Sequence, residues 1–480
     1  MRKNIFKLCF LLLAAVALFA CEKQTVTDTP GATSGRDRKF YTNLFAYNIM
    51  NPYYLWRDVM EKELEDWTYD MDPKEKVASL RYKEGGKLVD RWTEFMDDYT
   101  PFQSSVTGNG KSFGMDFVLR RVQNSQNVVM EITLTYAGSP ARKAGLKRGD
   151  VVLSVDGVTL NMDNYAALLN EKVYDFPGTI VLGMHDGSSV SMTAVQMYTN
   201  PVLLAKTLDV NGIRVGYLHF TGFTLDACKD LVDVFRQFKA DGIQELVLDL
   251  RYNSGGYVTT GQVLGSLIAP TDVVKQKAVF NKDIYNSLIG PDMDTETRFA
   301  STLELTLSSG KIMLNMLNAN PDIARLWVLV TGQSASASES LICGLKPYMD
   351  VRLVGTQTYG KFCGGYLTTA ESWYERLKKE KTDIDFTEAH QYTQTVGLYV
   401  IASRYTDCNG ITLSMPDGIP VDYEAYDNPS DGFELGDPAE SMLSVALGQI
   451  DGNPVAVTTK SDAERLEVPF EKPGSGALLH

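Results

Sequence analysis

Leu246-Val247-Leu248-Asp249-Leu250-Arg251-Tyr252-Asn253-Ser254-Gly255-Gly256 is an apolar run that breaks into a polar turn and two glycines. Leu246 to Leu250 has the length and composition of a buried strand. Two glycines at a strand end let backbone N–H groups point into a cleft, as a developing oxyanion requires, although alone the signal is weak and a Gly-Gly turn is far more often structural. The surrounding rhythm decides the class. Ile213 to Phe220 reads as a strand and Leu225 to Ala240 as a helix, while Trp327 to Thr331, Val351 to Val354 and Leu398 to Ile401 read as further buried strands. Strand, helix, strand in that order specifies an α/β core over 202–450, with long excursions at 271–325 and 366–395.

Outward from the core, residues 108–201 carry short β-like runs at Val128 to Ile132, Val151 to Val155 and Thr179 to Leu182, separated by Gly and Asp turns. They predict a compact β-rich module. Residues 39–107 are aromatic and helical in pattern, with Pro52 marking a break, and predict a small helical N-terminal domain. Residues 451–480 form a C-terminal tail. At the other end, Arg2, Lys3 and Lys7 precede an apolar run from Leu8 to Ala20, the pattern of a signal peptide over 1–20. Leu18-Phe19-Ala20-Cys21 resembles the bacterial lipobox, which implies lipidation of Cys21, a flexible polar tether over 21–38, and a location on the cell envelope facing the periplasm or the cell surface. Phe19 is bulkier than is usual there, and plain cleavage near Ala20 is the alternative. Beyond Ala20 no apolar stretch reaches membrane length, so lipid is the expected membrane attachment.

The 480 residues are 44% apolar and 22% charged, an ordinary globular balance. With 60 acids against 46 bases the net charge is -14, and no basic stripe is present, which argues against nucleic acid as a partner. Of six cysteines, Cys9 lies in the signal and Cys21 is assigned to lipid. Cys228, Cys343, Cys363 and Cys408 match no metal-binding spacing and are too scattered for a disulfide framework. Cys228 sits at core spacing with Leu225, Leu231, Phe235 and Phe238 and reads as a buried small hydrophobe.

A second strand end carries chemistry. Val330-Thr331-Gly332-Gln333-Ser334-Ala335-Ser336-Ala337-Ser338-Glu339 runs from a strand through small residues into a helix. Small residues leave room for a substrate carbonyl, and a helix N-terminus favours negative charge, although Ser and Ala there also serve simply as helix starters. Of the four histidines, His185, His219, His390 and His480, none has a clear catalytic context. Lys361, after the glycine turn Thr358-Tyr359-Gly360, is the candidate base. It acts as one only if its pKa falls from about 10.4 toward 7–8.

Together these segments resemble the C-terminal processing peptidases, also called tail-specific proteases. LDLRYNSGG is similar to that family's glycine motif, SASASE to its nucleophile segment and TYGK to its lysine segment; Ser336 and Lys361 stand 25 positions apart, as the family's pair does. The resemblance implies an α/β catalytic core of ClpP/crotonase type and a Ser336/Lys361 dyad. It further implies an oxyanion hole from Ala337 with Gly255 or Gly256, a supporting Glu339, and structural roles for Ser334 and Ser338. No cofactor or metal is implied. Gly138 to Ala141, Ala144 to Asp150 and Val155 to Gly157 are similar to the family's PDZ segment, and Phe113-Gly114-Met115-Asp116-Phe117 to its carboxylate-binding loop, implying substrates read by their C-terminal tails. Pro416 to Asp422 and Leu435 to Pro438 fit its closing segments. One departure stands out: the family often has a glutamine four residues past the lysine, and this chain has Gly365. That leaves open what orients Lys361. The rival readings are a non-catalytic binding protein on the same fold and a hydrolase acting on another substrate such as a glycan, for which no flanking pair of carboxylates can be picked out.

Overall fold

The computed structural model describes residues 36–175, 178–379, 384, 386–412, 417–455, 464–465 and 478–479. The signal sequence, Cys21 and its tether to residue 35, Pro416 and most of the tail after residue 455 lie outside the described residues. The Leu246 run lies at the centre of the main sheet. Val202–Val210, Ile213–Phe220, Glu245–Asp249, Arg325–Val330, Asp350–Gly355 and Tyr423–Glu424 lie side by side in that order, the first pair antiparallel and the others parallel. Side chains alternate across a strand, so Leu246, Leu248 and Leu250 enter one apolar layer and Val247 the other. Both faces are covered, which is why the run is apolar without interruption. Helices Ala227–Asp241, Val258–Ile268 and Ala337–Leu345 cover the first face, and Ser441–Asp451 the second. Cys228 is buried in the first layer, and it forms no disulfide with Cys343, Cys363 or Cys408, nor they with one another.

A second sheet places Cys363–Thr369 against Gly397–Thr406, with Val279–Ile284 and Thr295–Arg298 beyond. The region 39–107 does not close on a core of its own. Its helix Arg38–Tyr53 buries Tyr41, Phe45 and Ile49 in one cluster with Trp373, Tyr374 and Leu398, and its strand Glu94–Met96 adds to Gly397–Thr406. Short helices with so little apolar surface bury it most readily on a neighbour, here the 366–395 excursion. The β-rich module does have its own core, built on Met115–Arg121, Val128–Thr135, Val151–Val155, Thr179–Met184 and Ser189–Thr193.

Candidate active site

The turn after Arg325–Val330 is fastened to the glycine segment by two serines. Ser334 Oγ donates to Leu250 O at 2.8 Å and accepts Thr331 N–H at 2.9 Å, and Ser338 Oγ donates to Asn253 O at 3.0 Å. Between them Ser336 caps the Ala337–Leu345 helix with φ +58°, a left-handed conformation that costs a non-glycine residue about 1–3 kcal/mol. Its Oγ is buried and makes no hydrogen bond. Gly255, at φ +113°, approaches so closely that a Cβ there would stand 2.8 Å from Ser336 Cβ and 3.1 Å from Ala337 N. The absence of a side chain at Gly255 is therefore what lets serine, glycine segment and helix N-terminus meet. Ala337 N–H, in the first turn, has no acceptor within its helix. Gly255 N–H, by contrast, donates to Asn253 Oδ1 at 2.9 Å, so it is not available to an oxyanion while that bond stands. Gly256 takes φ +139°, and the Phe223 backbone leaves no room for a Cβ. A cleft of about 70 Å³ opens beside these glycines, lined by Ser254, Gly255, Gly256, Phe223, Thr221 and Tyr136.

Glu339 joins the serine to the lysine. Its Oε2 accepts Ser336 N–H at 3.0 Å and Lys361 N–H at 2.8 Å; its Oε1 accepts Gly360 N–H at 2.8 Å and Thr358 Oγ1–H at 2.5 Å. Burial raises the carboxyl's pKa above its ordinary value, and the four donors offset part of that. Tyr405 closes the ring from the other side, its hydroxyl reaching Ser336 O at 3.2 Å and Lys361 O at 3.0 Å. The Lys361 side chain, fully buried, does not bond to Ser336 Oγ. Its Nζ lies 3.4 Å from Tyr399 OH, 5.1 Å from the centre of that ring and 4.9 Å from the centre of the Trp92 ring. Gly365 explains the departure noted in the sequence. A Cβ there would meet Val400 O at 2.5 Å and Tyr399 Cζ at 2.8 Å, so the Tyr399 ring fills the space a side chain at 365 would need.

The glycine segment rests on buried charge. The Arg251 guanidinium donates to Asp249 at 2.9 Å, to both oxygens of Glu440 at 2.6 and 2.9 Å, and to Asp427 at 3.1 Å. Arg148, from the β-rich module, reaches Asp427 at 2.8 Å and Tyr252 OH at 2.7 Å, tying that module to the segment leading to Gly255. Burial alone raises the pKa of Asp249 and Asp427, but the neighbouring cations outweigh it and hold both well below the usual carboxylate range. His219 is packed beside Asp249, with Nδ1 3.2 Å from Oδ2, and is not bonded to Ser336.

In the module, Phe113 is buried and Gly114, at φ +68°, packs so tightly that a Cβ would stand 2.2 Å from Ser139 Cβ. Gly114 N–H donates to Ser112 Oγ at 2.9 Å, and Asp116 accepts from Tyr136 OH at 3.1 Å. Met115 and Phe117 continue into the strand Met115–Arg121, which pairs on one edge with Val128–Thr135. On its other edge only Glu464–Arg465 pair with it among the described residues, antiparallel against Arg120 and Arg121. Sequence reasoning missed Trp92, Tyr399, Tyr405, Thr358 and Asn253 as site residues. Thr358 and Asn253 lie inside the motifs themselves; the three aromatics come from distant segments and carry no local signal.

Fold and site together define a two-module α/β protein in which a PDZ-type sheet is coupled to a buried serine, lysine and glutamate. Residues 214–402 match the family model of Peptidase family S41 and residues 131–174 that of the PDZ domain. It is 27% identical over 270 residues to a carboxyl-terminal-processing protease of Synechocystis sp., covering 55% of this chain and 56% of that one. It is 25% identical over 287 residues to a carboxyl-terminal-processing protease of Picosynechococcus sp., covering 57% and 60%. The chain thus spans little more than half the length of these curated relatives. A crystal structure from Bacteroides fragilis, assigned to the S41 proteases, superposes with a TM-score of 0.61 at 21% identity, covering 85% of this chain and 97% of that one, and shares the fold.

Proposed function

We propose that this chain is a serine endopeptidase that hydrolyses peptide bonds of exported proteins, with Ser336 as nucleophile and Lys361 as general base. The observation that carries this reading is Glu339, one buried carboxylate that accepts the backbone N–H of both residues and so fixes their relative position. In the reaction, the free amine of Lys361 takes the Ser336 proton while Oγ attacks the peptide carbonyl. The developing charge falls on Ala337 N–H at the positive end of the Ala337–Leu345 helix, joined by the glycine segment once Gly255 N–H leaves Asn253 Oδ1. The resulting ammonium protonates the leaving amine, and water then releases the acyl group. Cleavage of casein or a tailed peptide by wild type and Ser336→Ala tests this; equal turnover overturns it.

Substrates reach the site as extended chains carrying accessible C-termini, with the Phe113 to Phe117 loop and the Met115–Arg121 edge reading the tail. Two pairings support this: Glu464–Arg465 already add to that edge as a strand, and Leu478–Leu479 lie between Gly256–Tyr257 and Gly365. An extended segment thus fits in both places. The protein is held to the cell envelope through lipid on Cys21, facing the periplasm or the cell surface. Cys21→Ser should move it from the membrane to the soluble fraction, and unchanged fractionation would overturn the anchor.

A further inference from the structure

The sequence leaves Lys361 without the glutamine that would hold its amine, and the space is closed by aromatic rings from two other segments. The Trp92 and Tyr399 rings are 5% and 2% exposed. Trp92 N–H donates to Asp90 Oδ1 at 3.1 Å, and Ile401 N–H donates to Thr93 Oγ1 at 3.1 Å. The next residues, Glu94–Met96, pair with the strand that carries Tyr399, with Glu94 opposite Tyr399 itself. One strand pairing therefore sets both rings around one Nζ. Gly365 is the residue that admits the Tyr399 ring, for any side chain there would collide with it.

We propose that Trp92 and Tyr399 are the positioning residues of Lys361: a two-ring box that holds the ammonium out of reach of Ser336 Oγ at rest and lets go of the neutral amine. The inference rests on the Ser336/Lys361 reading of the site. A ring face attracts an ammonium and not an amine, so the box favours the charged, parked form against the burial that favours the amine. Buried carboxylates beside Lys361 also favour its charged form, and each is held in place by its own donors. Glu339 is occupied by its four donors, and Asp90 by Tyr54 OH and the Trp92 and Thr93 N–H groups. The Cys363 thiol is pushed up to about 12 by burial and is neutral, and Tyr405 OH is turned to the Ser336 and Lys361 carbonyls. Arg91 lies 4.9 Å from the centre of the same Trp92 ring and competes with Lys361 for it. Loss of the box makes the amine easier to form, and an activity that needs the amine then rises at lower pH.

Two measurements on the full chain test this: the Lys361 titration midpoint from its Cε NMR shift, and the pH dependence of Ser336 acylation by a fluorophosphonate probe. Trp92→Leu should move the midpoint and the rising limb of acylation to lower pH together, by about half to one unit. Tyr399→Phe, which keeps the ring and loses the hydroxyl, should slow acylation about tenfold with a much smaller shift of the midpoint. Trp92→Phe should stay between wild type and Trp92→Leu, and with Tyr399→Phe it carries the test if Trp92→Leu does not fold. A role confined to packing would lower the thermal midpoint and leave both pH curves in place; unmoved curves in folded variants overturn the box. A wild-type chain that the probe never labels would overturn the peptidase reading instead, while the NMR midpoints still decide the box.

Discussion

Around Glu339 a single carboxylate is saturated by donors from the serine turn and the lysine turn, whereas on its outer edge the strand Met115–Arg121 is paired, among the described residues, by Glu464–Arg465 alone. The two regions meet their backbone hydrogen bonds in opposite ways. On the proposed peptidase reading, the groups that react at the serine must stand in one arrangement before substrate arrives, and each neighbour is fixed by several buried bonds that hold the strain of Ser336 in place. At the edge, the same reading asks that peptides of differing sequence all fit, which main-chain groups that any peptide can match would allow. Disturbing the first region should cost rate and stability together; disturbing the second should change only which peptides are cut. Arg148 is the physical link, a module residue bonded to Asp427 and Tyr252 beneath the glycine segment.

The largest effect expected is at the reacting pair. Ser336→Ala and Lys361→Ala should each lower turnover by about 10⁴-fold or more while circular dichroism stays unchanged, and the double variant should be no worse than either, because the two act as a unit. Additive losses would break the idea of a pair. Next comes the knot: Glu339→Gln replaces an acceptor of four donors by a group that is itself half donor. A loss on the order of 10²-fold in turnover and about 3 kcal/mol in urea unfolding is expected. A loss of rate without loss of stability would mean that Glu339 does more than hold the backbone. Smaller again is Gly365→Ala, whose Cβ would press on Val400 O and the Tyr399 ring; about 1–3 kcal/mol of stability should be lost. The mildest effect should belong to the module. A free-acid peptide with an apolar end should show a kcat/KM several-fold above its amide, with no change in stability, since amidation removes only the charge the loop N–H groups prefer. Equal values would mean the module does not read the terminus. This pair is best compared on the intact chain, because deleting 109–200 also removes Arg148 from the buried charge cluster.

The local backbone features around the proposed pair were legible in the sequence. The apolar run into Gly255 and Gly256, the small residues around Ser336 and the glycine before Lys361 are local signals, since a strand end, a helix start and a tight turn are each specified by neighbours in the chain. So were the strands of the core, because burial on both faces writes an unbroken apolar run and burial of one helix face writes a spacing. The helical region over 39–107 was legible too, but its partner was not: apolar spacing says that a face is buried and not against what, and that face is buried in one cluster with the 366–395 excursion. Glu339 could be named from the helix turn that separates it from Ser336, but its reach to Thr358, Gly360 and Lys361 depends on two turns folding onto each other. What the sequence alone left open at Gly365 was decided by tertiary structure. A missing side chain says nothing about what takes its place, and only the pairing of Glu94–Met96 with Gly397–Thr406 brings the Trp92 and Tyr399 rings to the lysine.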